Sequence, residues 1–359
     1  MNLFCFFGGI SLKLRNYRTS ILLAATFLLL ISTFWFMPTL AFIIFLSLLF
    51  QLLLLPPVDL LGQHMPRAAA AGIVLSCFLA LAFTLLALVS NSFLPTFTAF
   101  VTDFPNIASN VYRLPIVENS SFLSRELDAI WNEMVNVSVT ALKSSLGLIL
   151  SLFSKAIDLV VIVFVTFYLL KDGEQIKQYL AGLFPNSSHD RVLNLFNRIL
   201  KALRVYILSQ LVICCITGVI VFSYYSFRDL PYASVFAMVS SVAEFIPVLG
   251  PTVASAFGVL LTVTNSPFIA LQTAGFYLVL TQINHNIVYP NLIGKSLNLH
   301  PISVILGIIL GGELLGAPGM FLAVPMITIC KLVIEDIYQD RLLMKQALIK
   351  SRWLNKKEE

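Results

Sequence analysis

Eight long apolar runs, separated by short polar segments, limit this chain more than any other feature. They occupy residues 21–37, 39–55, 68–89, 146–170, 205–227, 232–264, 268–288 and 302–330. A helix that crosses a bilayer needs about 20 consecutive apolar residues. In lipid a span must also satisfy its own backbone hydrogen bonds, which selects helices. Charged residues make up 11% of the chain, less than half of the roughly 25% usual in a soluble domain. The expected fold is therefore all-α: a polytopic integral membrane protein with about eight transmembrane helices. The first two runs are short and separated only by Pro38, which suits a tight helical hairpin. The sixth and eighth are too long for one straight span, and Gly and Pro interrupt both.

The polar segments give the organisation and the sidedness. Residues 1–92 are expected to hold three transmembrane helices and 93–145 an extracytoplasmic amphipathic helical segment. A fourth span over 146–171 leads to a cytoplasmic basic amphipathic segment over 172–204. Four C-terminal transmembrane segments, with broken helices, fill 205–335, and a basic tail closes the chain over 336–359. With both termini inside, the inner segments collect most of the 23 Lys and Arg residues. Lys13, Arg15 and Arg18 lie at the start. Lys171, Lys177, Arg191, Arg198, Lys201 and Arg204 follow the fourth span, and the tail is rich in both. This is the asymmetry of the positive-inside rule. It also accounts for the net charge of +5 without a nucleic-acid partner. No small-residue cleavage site follows the first run, which reads as a retained helix. Whether 232–264 is one kinked span or a re-entrant pair stays open.

Both polar segments have helical apolar faces. Leu123, Leu127, Ile130, Met134, Val137 and Ala141 recur at steps of four and three on the outer side. They suit packing on the bundle or lipid, or a contact with a partner subunit. Val192, Leu195, Phe196, Ile199 and Leu203, interleaved with Arg191, Arg198 and Lys201, predict a basic helix lying on the cytoplasmic leaflet, with membrane lipids as its partner.

Enzymatic motifs are missing, and no catalytic residue or cofactor is expected. There is no G-x-S-x-G and no H-E-x-x-H. His64, His189, His285 and His300 are too scattered to suggest a metal site. Cys5, Cys77, Cys214, Cys215 and Cys330 show no C-x-x-C spacing and read as small apolar fillers. Gly294-Lys295-Ser296 resembles the end of a phosphate-binding loop, but position 289 is Tyr where that loop needs Gly.

The chemistry to weigh lies where apolar runs carry polar groups, since a charge in hydrocarbon is costly. Lys155 and Asp158, three apart, suit a structural ion pair. Glu244 precedes Pro247, Gly250 and Pro251, which must break or unwind the sixth run. Glu313 follows Gly312 and precedes Gly316 and Pro318. Two interrupted runs with one carboxylate each suggest the discontinuous helices of secondary transporters. The alternatives are that Glu244 caps broken backbone and that Gly307, Gly311, Gly312 and Gly316 serve helix packing. Gln282, Asn284, His285 and Asn286 cluster near the end of the seventh run. Imidazole exchanges a proton near neutral pH, which makes His285 a candidate proton handler.

Several of these residues stand in a wider pattern. Phe167-Tyr168-Leu169-Leu170-Lys171-Asp172-Gly173 closes the fourth span. Arg204 and Gln210 begin the fifth, and Glu244-Phe245-Ile246-Pro247-Val248-Leu249-Gly250-Pro251 follows. Then come the segment 290–301, Gly311-Gly312-Glu313-Leu314-Leu315-Gly316 and Gly319-Met320-Phe321-Leu322-Ala323-Val324-Pro325. In combination these resemble the autoinducer-2 exporter family, also called perM-like permeases, from about residue 146 onward. The resemblance implies a multi-pass transporter of a bacterial inner membrane that exports an autoinducer-2-like signal or exchanges sodium for protons. One position departs: near Asn284 members often carry an acid.

A gradient-driven exporter of a small polar solute is thus the first expectation, with a cation/proton antiporter as its alternative. A non-transporting membrane scaffold is the reading from another class, and a scaffold has no need to break helices in lipid. The candidate transport and coupling residues are Glu244, Pro247, Gly250, Pro251, Gly312, Glu313, Gln210, Gln282, Asn284 and His285. The apolar face over 123–137 and the glycine faces over 307–316 suggest a homo-oligomer.

Overall fold

The computed structural model describes residues 3–112, 156–247, 249–263, 266–293 and 299–358. Among them all regular structure is helical. Helix α1 is Leu3–Phe36 and α2 is Pro38–Leu61, where Pro38 sits in the first turn and loses no intrahelical donor. Helix α3 is Arg67–Tyr112, and α4 is described over 156–182. A 3-10 turn at Asn186–Ser188 leads into α5, His189–Phe227. Two short helices follow, α6 at Ala233–Ala243 and α7 at Leu249–Val263. Helix α8, Pro267–Ile283, ends in a π turn at Asn284–Val288 and a last short helix α9, Tyr289–Ile293. Helices α10, Pro301–Leu315, and α11, Ala317–Glu358, complete the chain.

Among the described residues, five stretches are long and apolar enough to cross a bilayer: Thr19–Phe36, Pro38–Leu61, Arg67–Leu85, His189–Phe227 and Ala317–Gln339. The chain is a multi-pass membrane protein. Its helices ignore four of the boundaries read from polarity, and α11 runs through the one at 335 without a break. Helix α3 continues to Tyr112 past the expected limit at 92, and α4 to 182 past 171. The cytoplasmic segment and fifth span, divided at 204 by polarity, form one helix of 39 residues. No proline interrupts it, and polarity changes do not stop a helix that keeps its hydrogen bonds. The outer apolar face over 123–141 lies outside the described residues. So does Lys155, and with it the expected pairing to Asp158.

The chain divides into two compact units. One takes the described residues within 1–71, 162–206 and 296–359. Here the apolar face of the basic segment is not free to lie on lipid. Val192 and Leu195 are buried with Leu23, Ala181, Phe184 and Val333, and Phe196 and Ile199 pack against them. Helical periodicity reveals an apolar face but not what covers it, and here protein does. Beside this core Arg191 makes a two-pronged bond to Asp336 of α11, with Nη2 and Nε donating to Oδ2 at 2.7 and 2.9 Å.

In the same unit α10 and α11 fold back on each other. Gly316 makes the reversal with φ of 64°, a left-handed conformation that glycine tolerates without strain. Beyond it the two backbones touch: a Cβ on Gly319 would lie 1.9 Å from the Gly311 carbonyl oxygen. Gly307 lies against Ile327 and Gly312 against Met320. The small-residue face is thus used inside the chain, rather than left open for the homo-oligomer contact expected of it.

The second unit takes the described residues within 72–161 and 207–295. Its core gathers Phe100, Val221, Tyr225, Leu230, Phe236, Leu261, Tyr277 and Leu280. Helices α6 and α7 have 11 and 15 residues. At about 1.5 Å per residue they reach roughly 16 and 22 Å, short of the roughly 30 Å hydrocarbon core. They reverse so tightly that a Cβ on Gly250 would lie 1.7 Å from the Ala243 carbonyl oxygen. The 232–264 run is therefore a pair of short helices, not one kinked span.

Candidate functional site

The break between α6 and α7 is closed rather than unwound. Main-chain N–H groups of Phe245, Ile246, Leu249 and Gly250 donate to the carbonyls of Val242, Ala243, Pro247 and Ile246. The carbonyls of four residues around the break are thereby taken. Pro251 falls in the first turn of α7, where its missing N–H has no intrahelical acceptor to lose. Gly250 allows the close approach to Ala243, and Pro247 holds the turn. Together they set Glu244 at the end of α6 with its side chain turned into the unit.

Glu244 is 3% exposed. Three neighbours on other elements fix it. Gln210 of α5, fully buried, donates from Nε2 to the Glu244 main-chain carbonyl at 2.7 Å. Thr217, also on α5, donates from Oγ1 to Glu244 Oε1 at 3.0 Å. Asn284, the first residue of the π turn, donates from Nδ2 to the same Oε1 at 2.9 Å. Asn284 Nδ2 also lies 3.0 Å from Thr217 Oγ1, so the three side chains close a triangle. Among the described residues the Asn284 carbonyl oxygen Oδ1 is buried without a hydrogen-bond partner. The helices that carry these groups approach closely: Ser241 of α6 donates to the Cys214 carbonyl of α5 at 2.8 Å, beside Gly218.

All the donors to Glu244 are neutral. A buried carboxylate needs compensation, and hydrogen bonds to the ionised form supply part of it. No Lys, Arg or His neutralises it among the described residues. Such a group is suited to take up and release a small positive species. Among the described residues no group of three or more His, Cys, Asp and Glu is placed to hold a metal ion.

The candidates read from sequence separate in space. Glu244, Gln210, Asn284, Pro247, Gly250 and Pro251 come together. Gln282, His285 and Asn286 are exposed. Asn286 bonds Gln282 at 2.8 Å, and His285 stacks on Tyr289 with ring centroids 5.5 Å apart. Of that polar cluster only Asn284 turns inward, because it continues the buried face of α8 from Thr273, Tyr277 and Leu280 at steps of four, three and four. Glu313 belongs to the other unit, where it is exposed on α10 next to Gly312. Thr217 escaped the sequence reading. The signal was there: Gln210, Cys214 and Thr217 recur at steps of four and three on one face of α5.

Comparison with known proteins agrees with this architecture. Residues 24–339 match the family described as AI-2E family transporter. The protein YueF of Bacillus subtilis (strain 168) is 30% identical over 316 residues, covering 81% of this chain and 84% of YueF. The AI-2 transport protein TqsA of Escherichia coli (strain K12) is 29% identical over 140 residues, 39% of this chain and 41% of TqsA. PerM of the same organism is 23% identical over 225 residues, 62% of this chain and 64% of PerM. The chain belongs to the AI-2E family of transporters.

Proposed function

We propose that this protein is a gradient-driven carrier that exports a small polar solute, similar to the autoinducer-2 signal, from a bacterial cell. Glu244 takes and releases the coupling ion. The observation that carries this reading is a carboxylate 3% exposed and bound only by the neutral side chains of Thr217 and Asn284. A scaffold gains nothing from such a group, since a buried carboxylate weakens a core that an apolar residue would strengthen. The same group serves a cation/proton antiporter, in which the ion is the cargo. The membrane is the inner membrane, with both termini in the cytoplasm, an orientation that the distribution of Lys and Arg supports. Glu313 is the second candidate for the coupling ion, and the working form is a homo-oligomer in lipid.

The test is flux in proteoliposomes under an imposed pH or sodium gradient, with a panel of small polar solutes. Glu244→Gln keeps the size and hydrogen bonding of the side chain and removes its charge. It should insert normally and lose gradient-driven flux. Transport at the wild-type rate, with unchanged dependence on the gradient, rules out the coupling role. Flux of the ions alone, with no solute carried, selects the antiporter.

A further inference from the structure

We propose that Asn284 makes the Glu244 site selective for a proton over a sodium-sized cation, by turning its side-chain amide as the carboxyl gains or loses that proton. This rests on Glu244 being the coupling group. In the described arrangement Asn284 Nδ2 and Thr217 Oγ1 both donate to Glu244 Oε1, at 2.9 and 3.0 Å. Two donors on one oxygen suit the ionised carboxylate. The opposite end of the amide, Oδ1, is buried and unpaired.

A proton arriving at Oε1 forms an O–H bond there, and that hydrogen needs an acceptor. Thr217 Oγ1 and Asn284 Nδ2 both face it as donors. Half a turn of the amide exchanges Nδ2 and Oδ1, which are nearly equal in size. Oδ1 then accepts from the Glu244 O–H and from the Thr217 hydroxyl, and the triangle is satisfied again. Loss of the proton to water reverses the turn. Only the carboxyl O–H bond forms or breaks, and no backbone has to move.

The same triangle resists a cation as large as sodium or calcium. Its edges are 2.9, 3.0 and 3.0 Å. Three oxygens held at about 2.3–2.6 Å around an octahedral cation stand roughly 3.3–3.7 Å apart. Every edge would have to open, in a core where Asn284 and Thr217 are each 3% exposed. Other titratable groups facing the carboxylate are Cys214 from α5 and Tyr289 from beyond the π turn. Tyr277 of α8 bonds Ser240 instead, at 3.3 Å. None of these is a cation that would fix Glu244 in its ionised form.

Infrared difference spectroscopy on the full chain in phospholipid vesicles tests this. Acidification should produce a protonated-carboxyl band that Glu244→Gln removes. A side-chain amide band should change with the same midpoint, and Asn284→Leu should remove it. Asn284→Ser provides the same readout if the leucine variant does not insert. Replacing choline with sodium should leave the midpoint in place. A sodium-induced shift of half a pH unit, about threefold in proton affinity, means that a metal cation competes and overturns the proposal. An amide band that ignores pH, or that survives both Asn284 variants, overturns it too. If the bands behave as expected while Glu244→Gln still transports normally, the coupling role alone fails and the amide turn stands.

Discussion

The α6–α7 and α10–α11 hairpins carry the same signature, glycine and proline breaking an apolar run beside one glutamate, and put it to different uses. In the first, the break sets Glu244 among Gln210, Thr217 and Asn284, out of contact with solvent. In the second, glycines bring two helices into backbone contact, while Glu313 stays exposed. A helix break is therefore not itself a site. What distinguishes a site is whether neighbouring elements supply groups that meet the carboxylate.

The sharpest way to break this contrast is to neutralise both acids. Glu244→Gln should lower gradient-driven flux about 100-fold or more, equivalent to about 2.7 kcal/mol. Glu313→Gln should lower it less, by about tenfold. Initial rates in the same proteoliposomes compare them, and equal losses would erase the distinction between the hairpins. The next effect is on folding. Gly319→Ala and Gly250→Ala each place a methyl group within 2 Å of a backbone oxygen, at 1.9 and 1.7 Å. Each should cost about 1–3 kcal/mol, seen as a lower thermal midpoint in detergent. The hairpins differ again if Gly250→Ala also slows flux per folded molecule while Gly319→Ala does not.

Thr217→Val should act on the site alone. It removes one hydrogen bond to a charged group, which lowers stability by about 1.5–3 kcal/mol, and should slow flux per folded molecule about tenfold. Loss of stability with flux per folded molecule unchanged would mean that Thr217 holds α5 and α6 together rather than serving Glu244. The smallest effect is a control. Nothing lies within 4 Å of a Cβ on Gly275 in α8. Gly275→Ala should stabilise the chain by up to about 1 kcal/mol and leave flux unchanged. A loss of activity there would show that glycine substitutions impair this protein by some route other than crowding.

The apolar runs made the helical membrane fold legible, and the clustered Pro247, Gly250 and Pro251 made the break legible. Glu244 stood out because it is a charged group in an apolar run, and Gln210 because it stands in the family pattern. Thr217 did not, because threonine is common in membrane helices and its hydroxyl usually bonds its own helix. Asn284 stood out, but equally with Gln282, His285 and Asn286. Separating it needed the buried face of α8, which runs through Thr273, Tyr277 and Leu280 to Asn284. The basic segment before the fifth span gave its apolar face by periodicity. Its burial against Leu23 and Val333 depends on residues far away in sequence, which a local pattern cannot name.

That π turn has a consequence for how such a site is inherited. A π turn is an α-helix with one residue too many, and its hydrogen bonds fit less well than those on either side. Deleting one residue from Asn284–Val288 would let α8 run smoothly into α9 and improve the local bonding. The residues beyond would keep their facing, because the wide turn already absorbs the extra residue. Tyr289, now five positions after Asn284 and bonded to its carbonyl, would stand four after it on the same face. A single-residue deletion between them therefore spares the site, whereas straightening the turn at constant length would carry Tyr289 round by about 100°.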